Sequence, residues 1–130
     1  MEEFQMVFSI FMLIMVLLIP LTMLFFGWLL FRRTPKEVNY VYGYRTKRSM
    51  MNEETWRFAN QYFGKVWYLC GLISVPLSVI ATALVFGKGT ETVGMIGGII
   101  TMLQMIPLVG AIISTESALK KNFDENGRRK

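Results

Sequence analysis

The stretch FQMVFSIFMLIMVLLIPLTMLFFGWLLF, residues 4–31, runs through 28 positions without one charged side chain. A helix rises about 1.5 Å per residue and the hydrocarbon core of a bilayer is about 30 Å thick, so this length suffices to cross it. Two further charge-free runs follow, Val66 to Gly87 with 22 residues and Thr92 to Thr115 with 24. A membrane strand needs only about 10 residues and alternates apolar with polar, a pattern missing here. The expectation is an all-α integral membrane protein, one membrane domain over 1–130, with three transmembrane helices at about 4–31, 66–87 and 92–115. The first run is expected to stay attached rather than act as a cleaved signal. Glu2 and Glu3 stand where a basic segment belongs, and no small-residue cleavage site precedes Arg32. Its excess length implies tilt or a short interfacial first turn.

The charges predict an orientation. Of the 14 Lys and Arg residues, 13 lie in segment 32–65 or in the tail 116–130, and only Lys88 lies between the second and third runs. The positive-inside rule places 32–65 and the C-terminus in the cytoplasm and the N-terminus outside, a multi-pass arrangement. The net charge of +5 is therefore a topology signal, and direct nucleic-acid binding is not expected. Cys70 is the one cysteine and the chain has no histidine, so neither an intrachain disulfide nor a zinc set can form. Without a phosphate loop or a nucleophile paired with a base, no enzymatic activity, catalytic residue, metal or cofactor is expected.

Between the first two runs the chain changes character. Arg32-Arg33-Thr34-Pro35 ends the first helix, because proline disfavours helix in the residue before it. Lys36 to Met51 reads as an ordered loop. Asn52 has the features of an N-cap, with Glu53 and Glu54 in the first turn where the helix dipole favours anions. Trp56, Ala59, Phe63 and Trp67 then recur at spacings of three and four. That stripe predicts a short amphipathic helix lying in the cytoplasmic interface before bending into the second span. All three Trp and all five Tyr fall between Trp28 and Tyr68, as expected of rings anchored at headgroup level. The Gly87-Lys88-Gly89-Thr90 segment predicts a tight external turn joining spans two and three, and the tail is expected to continue helical for a turn or two and then fray.

Within the membrane each span carries a proline, Pro20, Pro76 and Pro107. These predict packed bends or, alternatively, kinks that open a cavity. Gly71, Ser74, Ser78, Ala81 and Thr82 line one face of span two, and Gly94 with Gly98 forms a GxxxG pair in span three, with Gly97 beside them. Small residues of this kind let helices approach closely, within one chain or between copies. Gln104 is the only deep amide or ionisable side chain. It is expected to bond between helices, with Thr101 and the carbonyl freed by Pro107 nearby, or to mark a polar pathway.

Anchoring leaves unexplained the order Gly43-Tyr44-Arg45-Thr46, a spacer, then Asn52-Glu53-Glu54-x-Trp56-x-x-x-Asn60-x-x-x-Gly64. This stretch, with Asn39 ahead of it, resembles the signature of the SdpI family of bacterial membrane proteins, and the resemblance extends over roughly residues 30 to 115. It implies immunity against a secreted membrane-active peptide toxin and, by analogy with the family's best-known system, recruitment of a transcriptional repressor through the basic loop. For the matched residues, physical chemistry suggests roles. Gly43 supplies a conformation or close approach denied to larger residues. Arg45 presents a planar fork to Glu53, Glu54, a lipid phosphate or a partner protein. Asn52 caps, Trp56 anchors, and Asn60 ties helix to loop. The expected partners are anionic lipid headgroups, a peptide toxin and a cytoplasmic regulator. A small homo-oligomeric channel or transporter, and a lipid-binding scaffold, are the competing readings.

Overall fold

A computed structural model describes residues 2–39 and 41–130. Three long helices make up nearly all of it: α1, Glu2–Arg32; α2, Glu53–Leu84; and α3, Thr90–Asn122. Each is long and apolar enough to cross a membrane, as the charge-free runs imply. Close approaches fix their directions. Gly64 lies against Phe31 and Gly71 against Leu24, so α1 and α2 run antiparallel. Gly97 meets Met12 and Val16, so α3 returns parallel to α1, and the turn after Leu84 joins α2 and α3 as an antiparallel hairpin. Gly87 (φ +81°) supplies the turn's left-handed residue, and its N–H donates to Ser9 Oγ at 2.9 Å, tying the turn to α1.

Two expectations are corrected. Among the described residues no separate interfacial helix exists: residues 53–84 form one helix. At 32 residues it is about 48 Å long, exceeding a hydrocarbon core by about 18 Å, and the excess holds its charged first turns. No proline interrupts Glu53 to Val75, and the apolar stripe is covered by protein, with Trp56 and Ala59 fully buried and Phe63 nearly so. A stripe already buried within the chain has no need to lie flat on lipid. The tail, too, is folded after α3. Phe123 and Arg129 form an antiparallel bridge around a turn at Gly127 (φ +78°), whose carbonyl accepts from Asn52 Nδ2 at 2.7 Å. Arg129 sits 4.8 Å from the Phe123 ring and 5.9 Å from Phe58 and pairs with Glu54 at 3.2 Å.

Of the small-residue face expected on span two, Gly71, Ser78 and Thr82 are buried, but the closest helix contacts lie elsewhere. A Cβ on Gly27 would lie 2.5 Å from the Tyr68 nitrogen, and one on Gly64 would lie 2.6 Å from the Phe31 nitrogen. The α1–α2 seam is thus backbone against backbone at Gly27 and Gly64, with Gly71 facing Leu24 further along. Of the GxxxG pair, Gly94 makes only ordinary contact with Phe8, and Gly98 has nothing within 4 Å among the described residues; Gly97 is the buried glycine. Gln104 bonds between helices, as expected. Its Nε2 donates to Val16 O and to Ser78 Oγ, both at 2.8 Å. Val16 O is the carbonyl that Pro20, four residues on and lacking an N–H, leaves without its helical partner. One amide therefore joins all three helices.

Candidate binding cleft at the basic end

The hydrophobic core gathers where α1 ends, α2 begins and α3 ends: Leu30, Tyr44, Ala59, Phe63, Ala111, Leu119 and Phe123 pack there. The loop is folded down onto it by its own polar groups. Asn39 Oδ1 accepts from the N–H groups of Val41 and Tyr42 at 3.0 and 2.7 Å, bending the chain toward α2. Gly43 has φ +118°, and a Cβ there would lie 2.8 Å from Asn60 Oδ1 and 2.9 Å from Trp56 Cζ2. Glycine is required on both counts. The buried Asn60 accepts from Tyr44 N–H at 2.6 Å and donates to Trp56 O at 2.9 Å, joining loop to helix.

Trp56 is not a membrane anchor. Its ring is sealed beneath the loop and its Nε1–H donates to Pro35 O at 2.9 Å. Trp67 is half-buried and donates to Leu108 O at 3.3 Å, leaving Trp28 as the exposed tryptophan. Tyr40, counted in the aromatic set, lies outside the described residues.

On either side of Arg45 the loop is held by α3. Glu116 Oε2 accepts from Tyr44 Oη at 2.5 Å and from Thr46 Oγ1 at 2.8 Å. Burial, reinforced by the bond to Glu116 and by its negative charge, pushes the Tyr44 phenol well above its ordinary range, so it stays a neutral donor. Ser49, fully buried, accepts from Thr46 N–H at 2.8 Å, with its hydroxyl close enough to donate to the Tyr44 carbonyl. Thr55 Oγ1 donates to Ser49 O and accepts from Asn52 N–H, both at 3.1 Å. Asn52 Oδ1 in turn accepts from Thr55 N–H at 2.8 Å, completing a capping box.

The sequence-flagged residues thus divide. Gly43, Tyr44, Thr46, Asn52, Trp56 and Asn60 form one network with Ser49, Thr55 and Glu116, which sequence reasoning did not place there. Glu53 is exposed in the first turn of α2, and Gly64 belongs to the α1–α2 seam. Gln104 lies further along the bundle with Val16 and Ser78. Arg45 is exposed, and Glu54, one of the carboxylates expected to meet it, pairs with Arg129.

Between this loop and the three helices opens a cleft of about 570 Å³. Phe26, Leu30, Phe63 and Trp67 form apolar walls, while Tyr42 and Arg45 supply polar groups on the loop side. Tilted aromatic pairs continue the wall, Tyr44 to Phe63 at 4.7 Å and Phe63 to Trp67 at 4.6 Å. Such a cleft suits an amphiphile whose apolar part enters the walls and whose anionic group meets the guanidinium. Among the described residues no group of three His, Cys, Asp or Glu could hold a metal ion.

Residues 36–115, which carry the loop, α2 and most of α3, match the SdpI/YfhL protein family. The chain belongs to this family. It is similar to a Bacillus subtilis (strain 168) protein described as uncharacterized protein YfhL, 33% identical over 89 residues, which are 68% of this chain and 67% of that protein. No solved structure matches. The chain is thus a multi-pass membrane protein of the SdpI/YfhL family.

Proposed function

We propose that this protein protects a bacterial membrane against an amphipathic peptide toxin by binding it in the cleft beside Arg45, with the loop and both basic segments on the cytoplasmic side. The observation that carries this reading is the rigid presentation of the family motif. Gly43, Tyr44 and Thr46 are fixed from both α2 and α3, and Arg45 stands between them, exposed beside an apolar cleft. A surface held this firmly loses little further entropy when a ligand docks. An acidic side chain or terminal carboxylate of the peptide would meet the guanidinium while its apolar face lies against Phe26 and Trp67. Recruitment of a transcriptional repressor, the second role the family suggests, would use Arg45, Lys47 and Arg48 from the aqueous side. The transport alternative is weakened because Gln104 Nε2 is engaged in helix-to-helix bonds, which leaves only its buried Oε1 without a partner among the described residues.

The test is expression in a toxin-sensitive bacterium challenged with membrane-active peptides. Arg45→Lys keeps the charge but loses the planar fork, and is expected to abolish most protection at unchanged protein level. Full protection by that variant would remove the basis for the reading. Labelling a cysteine placed at Lys47 from outside intact cells, in a Cys70→Ser background, would overturn the orientation.

A further inference from the structure

The glycine seam between α1 and α2 has two flanks. One faces the loop cleft described above. On the other flank, Trp28, Phe31 and Arg32 of α1 and Lys65, Tyr68 and Leu69 of α2 line a second cleft of about 290 Å³. Its origin is the seam itself: with backbones touching at Gly27 and Gly64, the neighbouring large side chains splay outward and leave a groove between them.

Two cations from different helices share this groove. Arg32 and Lys65 are both exposed, and among the described residues neither has a carboxylate within 4 Å. Trp28 and Tyr68 lie beside them, the residue types that settle at the headgroup boundary. One turn deeper, Phe25 and Leu72 continue the apolar surface from Trp28 and Leu69, and all four of these side chains are at least 41% exposed. The groove therefore offers positive charge at its mouth and an uncovered apolar track running into the bilayer.

We infer that this groove binds an anionic phospholipid, its phosphate bridging Arg32 and Lys65 and an acyl chain lying along Trp28, Leu69, Phe25 and Leu72. The inference does not depend on toxin binding, because the groove is on the opposite flank of the seam and shares no lining residue with the Arg45 cleft. A lipid seated there joins α1 to α2 from outside and stabilises the seam by linkage.

The experiment uses the full chain purified in a neutral detergent, with thermal unfolding followed as lipid is added. Phosphatidylglycerol is expected to raise the melting temperature, and phosphatidylcholine at the same concentration to do so much less. In an Arg32→Gln/Lys65→Gln variant the apparent affinity for phosphatidylglycerol should fall about thirtyfold, at about 1 kcal/mol per cation. A Lys120→Gln/Lys121→Gln variant, with the same net charge change on α3, should retain the response. An equal response to the two lipids, or an Arg32/Lys65 variant that still responds fully, would overturn the site. So would an equal stabilisation by soluble glycerol phosphate, since the headgroup would then act without the chain. Melting of each variant in detergent alone reports its folding, so loss of lipid response is separable from loss of structure.

Discussion

At the basic end, Trp56, Asn60, Ser49 and Thr55 are sealed from solvent and hydrogen-bonded to partners in the loop and helix around them, whereas at the hairpin end Gly87, Gly89 and Gly98 face open space. The same three helices pass through both regions, so helix formation does not account for the difference. In lipid, apolar side chains gain little from leaving one apolar surroundings for another, and specificity must come from close packing and polar bonds. The basic end has both, in the loop network and the Gly27–Gly64 contact. The hairpin end has the Gln104 junction, the Ser9 tie and a close approach at the buried Gly97, where a Cβ would fall against the flexible Met12 side chain rather than backbone. Hydrogen bonding outside the helix backbones is thus densest around the loop and the start of α2.

The largest break in this contrast should come from the seam. Gly64→Ala places a methyl 2.6–2.7 Å from backbone atoms of α1, which cannot rotate away. Overpacking costs about 1–3 kcal/mol and occasionally more, and a clash with backbone belongs at the upper end. The yield of monodisperse protein in detergent and its melting temperature should both fall sharply. Next is Asn60→Ala, which strips a partner from the buried Tyr44 N–H and Trp56 carbonyl, at a cost of about 1–3 kcal/mol for a stranded buried group. Faster amide exchange at Tyr44 than at residues of the hairpin end would locate the damage.

A titration sharpens the same contrast. The Tyr44 phenol has its pKa raised in the folded state, so the folded form holds that proton more tightly than the unfolded chain. Its contribution is fully present below the ordinary tyrosine value of 10.0 and is lost as pH rises above it. Melting temperatures from pH 8 to 11 should decline at the alkaline end more steeply for the native chain than for Tyr44→Phe. Equal profiles would separate Tyr44 from this stability.

How much of this was legible in the sequence follows from the range of each interaction. Three spans were readable because each is a continuous run, and the Asn52 cap because its partner Thr55 is three residues away. The interfacial helix was misread because a stripe at spacings of three and four looks alike whether lipid or protein covers it. The partners that cover it, Pro35 and Tyr44 on the loop and Phe123 in the tail, are brought there by the tertiary fold. Glu116 was invisible as a loop clamp for the same reason, lying 70 and 72 positions from Thr46 and Tyr44. Gly27 carried no signal because a glycine's role depends on what the facing helix places against it, here the Tyr68 backbone. The GxxxG pair carried a signal that this chain's own packing does not use.

That unused pair gives the smallest expected effect and the cleanest comparison with Gly64. A Cβ on Gly98 meets nothing within 4 Å among the described residues, so Gly98→Ala removes no contact and relieves the entropy cost of glycine in a helix. Melting in detergent should be unchanged or rise by an amount equivalent to at most about 1 kcal/mol. The measurement is most informative across protein concentration, because a second copy packing on that face would be displaced by a side chain the monomer tolerates. A destabilisation growing with concentration would show that a neighbouring chain uses Gly98, and the loose end of the monomer would become an interface. A flat response alongside the collapse of Gly64→Ala would show that Gly98, unlike Gly64, lies at no close helix contact.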